Sequence, residues 1–292
     1  KTAYEIRLSL VGSEMCIRDR DQTDFELNGQ EGVLVNVTLV HPAGPNSGLY
    51  EIELLGYDED KDVSSPFTLE LDVPVLAQTR LEFDYATIPV HPVNTTSVDV
   101  RLFNLGNGDI GYDLFLESPP GWYAGFDDLN AQGGANSAST GLMLEDGQMN
   151  IGISFTPPQV MTLAGAELTV ILRVVSQSEE ARLMLYELPL VVQEISEVTV
   201  DLESSFSSIT PGNTISLQYS IENRGNMDLN LSPRLQLPQS WTQNTVLDDF
   251  ELEWTESKNF LISVTAEQSA RSGEIKFILD SNENSWSHTE SV

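Results

Sequence analysis

Short stretches of strict hydrophobic–polar alternation run along the chain. In Ser97-Val98-Asp99-Val100-Arg101-Leu102-Phe103, Val98, Val100 and Leu102 alternate with Asp99 and Arg101. In Ser216-Leu217-Gln218-Tyr219-Ser220-Ile221-Glu222, Leu217, Tyr219 and Ile221 alternate with Gln218 and Ser220. Ile151, Ile153 and Phe155 obey the same rule, as do Phe260, Ile262 and Val264. A period of two puts every second side chain on one face of an extended segment, so each stretch predicts a strand with one buried face. Turn-forming clusters separate them: Gly106-Asn107-Gly108-Asp109, Pro211-Gly212-Asn213 and Arg224-Gly225-Asn226. Several such strands per hundred residues predict an all-β chain of antiparallel β-sandwiches. Residues 179–186 have some helical character, but their counterpart at Phe67 reads as a strand.

The alternating segments recur. A shift of 119 residues lays Pro92, Asn94 and Thr95 on Pro211, Asn213 and Thr214. The same shift lays Asn104, Gly106, Asn107 and Asp109 on Asn223, Gly225, Asn226 and Asp228, and Trp122 on Trp241. A period of this length matches one compact domain. Residues 79–193 read as a complete module and 194–292 as a second copy lacking its last strand. Residues 21–78 read as the C-terminal half of a third. The shift falls to 109 between Ile153 and Ile262, which puts about ten extra residues of the middle module near 131–140. That small, polar run predicts an exposed loop. Few residues separate the modules, which predicts a semi-rigid rod.

Residues 1–20 fit neither the repeat nor the composition. They resemble a translated sequencing-adapter read-through of the kind found in metagenomic gene predictions, and are assigned to no domain; the chain is then expected to be a fragment. A signal peptide would need a longer apolar run than Leu8 to Val11. The one cysteine, Cys16, lies in this segment. Without it the modules have no disulfide or thiolate zinc site, so apolar burial must hold them.

The charge narrows the partners. The chain carries 14 Lys+Arg against 45 Asp+Glu, a net charge of −31. Binding to nucleic acid or anionic membranes rests on cations meeting phosphate, so neither is expected. No apolar run is long enough to span a membrane.

Residues 92–122 and 211–241 carry a further pattern: Pro211-Gly212-Asn213-Thr214-Ile215-Ser216-Leu217, then Ile221-Glu222-Asn223-Arg224-Gly225-Asn226, then Leu237-Pro238-Gln239-Ser240-Trp241. It resembles the immunoglobulin-like NPCBM-associated domain of alpha-galactosidases and the CARDB cell-adhesion modules. The resemblance implies tandem immunoglobulin-like sandwiches in an extracellular or cell-surface setting. It brings no catalytic residue, so no enzyme activity is expected. The expected function is a structural or adhesive stalk segment of a larger microbial surface or secreted protein. The alternatives are an accessory region of a secreted glycoside hydrolase or peptidase, or a carbohydrate-binding module. Expected partners are neighbouring domains of the same polypeptide, a glycan or another surface protein.

Candidate site residues are few. Asp58, Asp60 and Asp62 alternate as Ca²⁺ ligands do, but no glycine follows at the sixth position and Leu69 stands at the twelfth. A solvated acidic turn is the simpler reading, and no other cofactor is expected. Asn36, Asn94 and Asn230 begin glycosylation sequons. Trp122 and Trp241, at equal repeat positions, read as packing residues, whereas Trp254 and Trp286 lack counterparts and are candidate ligand contacts. His41, His91 and His288 are too scattered for a metal site or a catalytic triad.

Overall fold

The computed structural model describes residues 4–5, 16–20, 24–25, 32, 34, 37–40, 45–58, 63–127, 135–178, 180–204, 209–282 and 284–292. Every regular element among them is a strand. The fold is that of tandem immunoglobulin-like β-sandwiches.

In the first part of the chain, β1 (Tyr4–Glu5), β2 (Cys16–Arg20), β3 (Asp24–Phe25) and β4 (Val37–Val40) pair as β1 with β3 and β2 with β4. A long hairpin follows, β5 (Gly48–Asp58) with β6 (Val63–Val73). Residues 1–20, assigned above to no domain, thus contribute two strands. A strand edge offers backbone bonds to any extended segment, whatever its origin.

The middle module runs through β7 (Thr79–Glu82), β8 (Ile88–Val90), β9 (Thr96–Asn104), β10 (Ile110–Glu117), β11 (Tyr123–Asp127), β12 (Ser137–Met143), β13 (Gln148–Thr156), β14 (Glu167–Ser176) and β15 (Leu183–Val192). Its sheets are ordered β11-β13-β9-β7 and β12-β10-β14-β15-β8. The strands pair antiparallel with one exception: β8 lies parallel to β15, Ile88 opposite Leu190. The chain crosses from one sheet to the other between Glu82 and Ile88, so β7 and β8 edge different sheets.

The third module contains β16 (Val198–Leu202), β17 (Thr214–Asn223), β18 (Leu229–Gln236), β19 (Trp241–Gln243), β20 (Phe250–Leu252), β21 (Ser257–Ala266), β22 (Glu274–Asp280) and β23 (Ser285–Ser291). Its sheets, β16-β17-β21-β19 and β20-β18-β22-β23, follow the strand order of the middle module, with no counterpart of β8 among the described residues. The last strand expected to be missing is present: β23 pairs with β22 where β15 pairs with β14. It escapes a hydrophobic search because its half-buried positions are Trp286, His288 and Glu290, alternating with exposed serines and a threonine.

Each sandwich has its own core. Val100, Leu102, Leu114, Phe126, Ile151, Ile153, Phe155 and Leu172 meet between the sheets of the middle module. Leu217, Tyr219, Ile221, Ile262, Val264 and Phe277 do so in the third. Each such side chain contributes about 1.5–3 kcal/mol by leaving water. Trp122 is buried, and Trp241 and Trp286 are half-buried against the third module's core. The turn before each repeated tryptophan is the same: the Trp122 N–H donates to Pro119 O and the Trp241 N–H to Pro238 O. Its left-handed position is Gly121 in one module and Ser240 in the other, at φ 83° and 65°.

The run near 131–140 is only partly the loop expected. Ser137 to Thr140 belong to edge strand β12, and the buried Thr140 hydroxyl accepts the Tyr112 N–H at 3.0 Å. Small polar residues without alternation form this strand because the neighbouring β10 supplies the bonds.

Candidate functional site: the joints between modules

The repeated Asn-x-Gly-Asn turn sits where one module meets the next. In the middle module, Asn104 ends β9 fully buried. Its Nδ2 donates to Gly108 O at 2.9 Å and Leu144 O at 3.0 Å, while its Oδ1 accepts the Gly106 N–H at 3.0 Å and the Tyr112 hydroxyl at 2.9 Å. A buried asparagine with these partners fixes the turn against its own module.

Asn107, three residues on, faces the preceding module. Its Nδ2 donates to Pro45 O at 3.0 Å and Pro74 O at 3.3 Å, and its Oδ1 accepts the Leu76 N–H at 2.6 Å. Its carbonyl accepts the Ser47 N–H at 2.6 Å. One residue therefore ties together the start of hairpin β5–β6, the linker after β6 and the middle module.

The next joint repeats the bonds of Asn107 one for one, and those of Asn104 except the one from the Tyr112 hydroxyl, where the third module has Leu231. Asn223 Nδ2 donates to Met227 O at 2.9 Å and Glu253 O at 3.2 Å, and its Oδ1 accepts the Gly225 N–H at 3.0 Å. Asn226 Nδ2 donates to Thr162 O at 3.1 Å and Gln193 O at 2.9 Å, and its Oδ1 accepts the Ile195 N–H at 2.7 Å. Its carbonyl accepts the Ala164 N–H at 2.9 Å. Linker bonds match too: Leu105 N–H to Gln78 O and Arg224 N–H to Glu197 O, both 2.8 Å. The glycines shared by both turns are required by contact: a Cβ on Gly106 would lie 2.5 Å from Leu76 O, and one on Gly225 would run into Ile195 O.

Only an amide fits this place, because the site offers two carbonyl acceptors and one N–H donor. The joint is also indifferent to the neighbour's side chains, since every partner atom of Asn107 and Asn226 is backbone. The aspartates of the motif work on the module side. Asp109 Oδ1 accepts the Glu145 N–H at 2.8 Å and Asp228 Oδ1 the Trp254 N–H at 2.6 Å.

The residues singled out from sequence do not converge. Asp60, Asp62 and Asn36 lie outside the described residues, and Asp58 ends β5. No group of three or more His, Cys, Asp or Glu among the described residues could hold a metal ion. Asn94 is exposed in a turn where its N–H donates to His91 Nδ1, and Asn230 is exposed on β18. Trp254 is half-buried in the turn before β21. Asn230 borders an open cleft of about 450 Å³ with Asp249, Glu251 and Asp280. The hydrogen bond from Arg234 holds the Asp280 carboxyl below the ordinary carboxylate range, the opposite of what a general acid needs. Among the described residues no helix is long and apolar enough to cross a membrane.

The joint was half visible in sequence: the repeat displays Asn104, Gly106, Asn107 and Asp109 with their counterparts, but as a turn signal only. Its partners lie 31 to 64 residues away.

No family model matches this chain, and no curated protein matches it. Among solved structures, human CDH23 EC21-23 is similar at 16% identity over 99% of this chain and 87% of that one, with a TM-score of 0.46. The extracellular cadherin domains 1-5 of protocadherin gamma B2 are similar at 8% identity over 99% and 52%, with a TM-score of 0.39. The Pseudomonas aeruginosa CupB2 chaperone is similar at 8% identity over 74% and 100%, with a TM-score of 0.27.

Proposed function

We propose that this chain is a non-catalytic stalk segment of a larger surface or secreted protein, in which stiff joints hold immunoglobulin-like modules at fixed mutual orientation. The observation that carries the reading is the joint itself, present twice with the same bonds. Connecting segments ordinarily hydrogen-bond to water and swing. Here the linker N–H and C=O groups of Leu76 and Ile195 are bound to the following module's turn. Ordering a linker costs about 1–2 kcal/mol per residue in backbone entropy, so a joint of this kind resists bending only because its bonds offset that cost. A stalk needs that property; an isolated binding domain does not.

The test is a distance distribution between spin labels on the two complete modules, at Asp99→Cys and Ser287→Cys with Cys16→Ser. Both label positions are exposed. A narrow distribution is expected, broadening in Asn226→Ala. A broad distribution in the parent protein would remove the stalk reading.

A further inference from the structure

The two complete modules are twins in fold but not in one of their outer faces. On the outside of sheet β12-β10-β14-β15-β8, Phe115, Arg173 and Leu185 stand in one cross-strand row, and Asp113, Val175 and Leu183 in the next. Phe115 is 40% exposed, Leu183 52% and Leu185 60%. The matching rows of the third module are Arg234, Ile278 and Ser287, then Ser232, Asp280 and Ser285. Phenylalanine is replaced by arginine and both leucines by serine. The twin shows that the fold accepts serine at both leucine positions, Ser285 and Ser287. Neighbouring exposed apolar side chains on one sheet face mark a contact surface.

The charge around this face selects the occupant. Its cation, Arg173, is engaged by Glu117 at 2.7 Å, which leaves Asp113 and Glu187 as acidic neighbours on the rows either side. A second copy would bring the same carboxylates face to face and add −31 to −31. Like charges oppose such a contact, whereas a basic rim would be steered to it.

We propose that this face of the middle module docks a protein partner presenting apolar side chains ringed by lysine or arginine. The proposal is independent of the stalk reading, since it concerns one face of one module and is read by binding.

The probe is a fluorescent peptide of alternating leucine and lysine, titrated with the full chain, beside serine–lysine and leucine–glutamate peptides. The variant is Leu183→Ser/Leu185→Ser, which installs the twin's residues on an exposed face. Losing two half-exposed leucines from the contact is expected to weaken leucine–lysine binding by about tenfold or more. The two control peptides are expected to bind parent and variant alike. Equal leucine–lysine affinity for parent and variant would overturn the proposal, since charge alone would explain the binding. So would concentration-dependent dimerisation of the parent that the double variant abolishes, which would assign the face to a second copy. Phe115→Ser gives the same reading from a different strand without changing the charge, should the double variant fold poorly.

Discussion

Replacing Asn226 by aspartate changes one NH₂ into an oxygen and leaves the shape of the side chain intact. Of its three side-chain bonds, acceptance from the Ile195 N–H survives, while donations to Thr162 O and Gln193 O are lost. Removing the donor leaves two partly buried carbonyls without their partner, at about 1–3 kcal/mol each. The introduced carboxylate also sits fully buried against two carbonyl oxygens, because Asn226 is 0% exposed. The expected loss is about 3–5 kcal/mol at neutral pH, read as a lower urea midpoint together with a broadened distance between the two complete modules. Acid should relieve the defect. Burial raises the folded-state pKa of the introduced group, so its penalty is present above that pKa and shrinks as pH falls through it. The protonated acid can then donate one of the two missing bonds. Asn107→Asp should cost less, since Asn107 is only half-buried and water can reach its partners. An Asn226→Asp protein with the parent's midpoint would refute the reasoning. Lower stability with an unchanged distance distribution would refute it too, reducing Asn226 to an ordinary turn residue.

Three further outcomes are expected. The Tyr219 hydroxyl is buried with no protein partner among the described residues, whereas that of Tyr112 donates to Asn104 Oδ1; Tyr219→Phe should therefore be neutral or slightly stabilising and Tyr112→Phe should cost about 1 kcal/mol in denaturant unfolding. Burial, with Tyr186 beside one phenol and Glu290 beside the other, pushes both Tyr112 and Tyr219 up to about 12. Their contribution is whole below pH 10 and declines as pH rises toward 12, so unfolding and the tyrosinate absorbance should appear together in that window; a melting temperature flat across it would contradict the burial. At the turn shared by Gly121 and Ser240, the left-handed backbone costs a serine about 1–2 kcal/mol that glycine avoids, partly offset by glycine's freer unfolded chain. Ser240→Gly should raise stability by about 0.5 kcal/mol and Gly121→Ser should lower it, measured by urea midpoint.

The strands were legible because alternation follows directly from the pleat: Val100 and Leu102, or Leu217, Tyr219 and Ile221, are buried as their spacing requires. Where inward positions are not aliphatic the signal vanishes, as in β23 with Trp286, His288 and Glu290. Edge strand β12 was hidden for a related reason. Its residues carry little apolar pattern, and it is held by backbone pairing to β10, which any composition can supply. The parallel pairing of β8 with β15 depends on a crossing between sheets that has no signature in residue type. The joint lay between these cases. Its residues could be found by self-comparison, but their role depends on carbonyls of Pro45, Pro74, Thr162 and Gln193, and a carbonyl belongs to every residue.

That same dependence on backbone separates two properties that a tandem protein must reconcile. Because Asn107 and Asn226 bind only main-chain atoms, the joint survives any change in the exposed faces, and one outer face has diverged, with Phe115, Leu183 and Leu185 in the middle module against Arg234, Ser285 and Ser287 in the third. The two properties should also respond differently to salt. Joint bonds are neutral, short and, at Asn226, buried, so the distance distribution between modules should not change between low and high ionic strength. Docking on an acidic face draws a basic partner through solvent, where charges are screened beyond about 8–10 Å in ordinary salt. Its association rate should therefore fall as salt rises while the apolar contribution, and with it the effect of Leu183→Ser/Leu185→Ser, persists. A distance distribution that broadens in salt would mean that charge, and not the repeated asparagine, holds the modules in place.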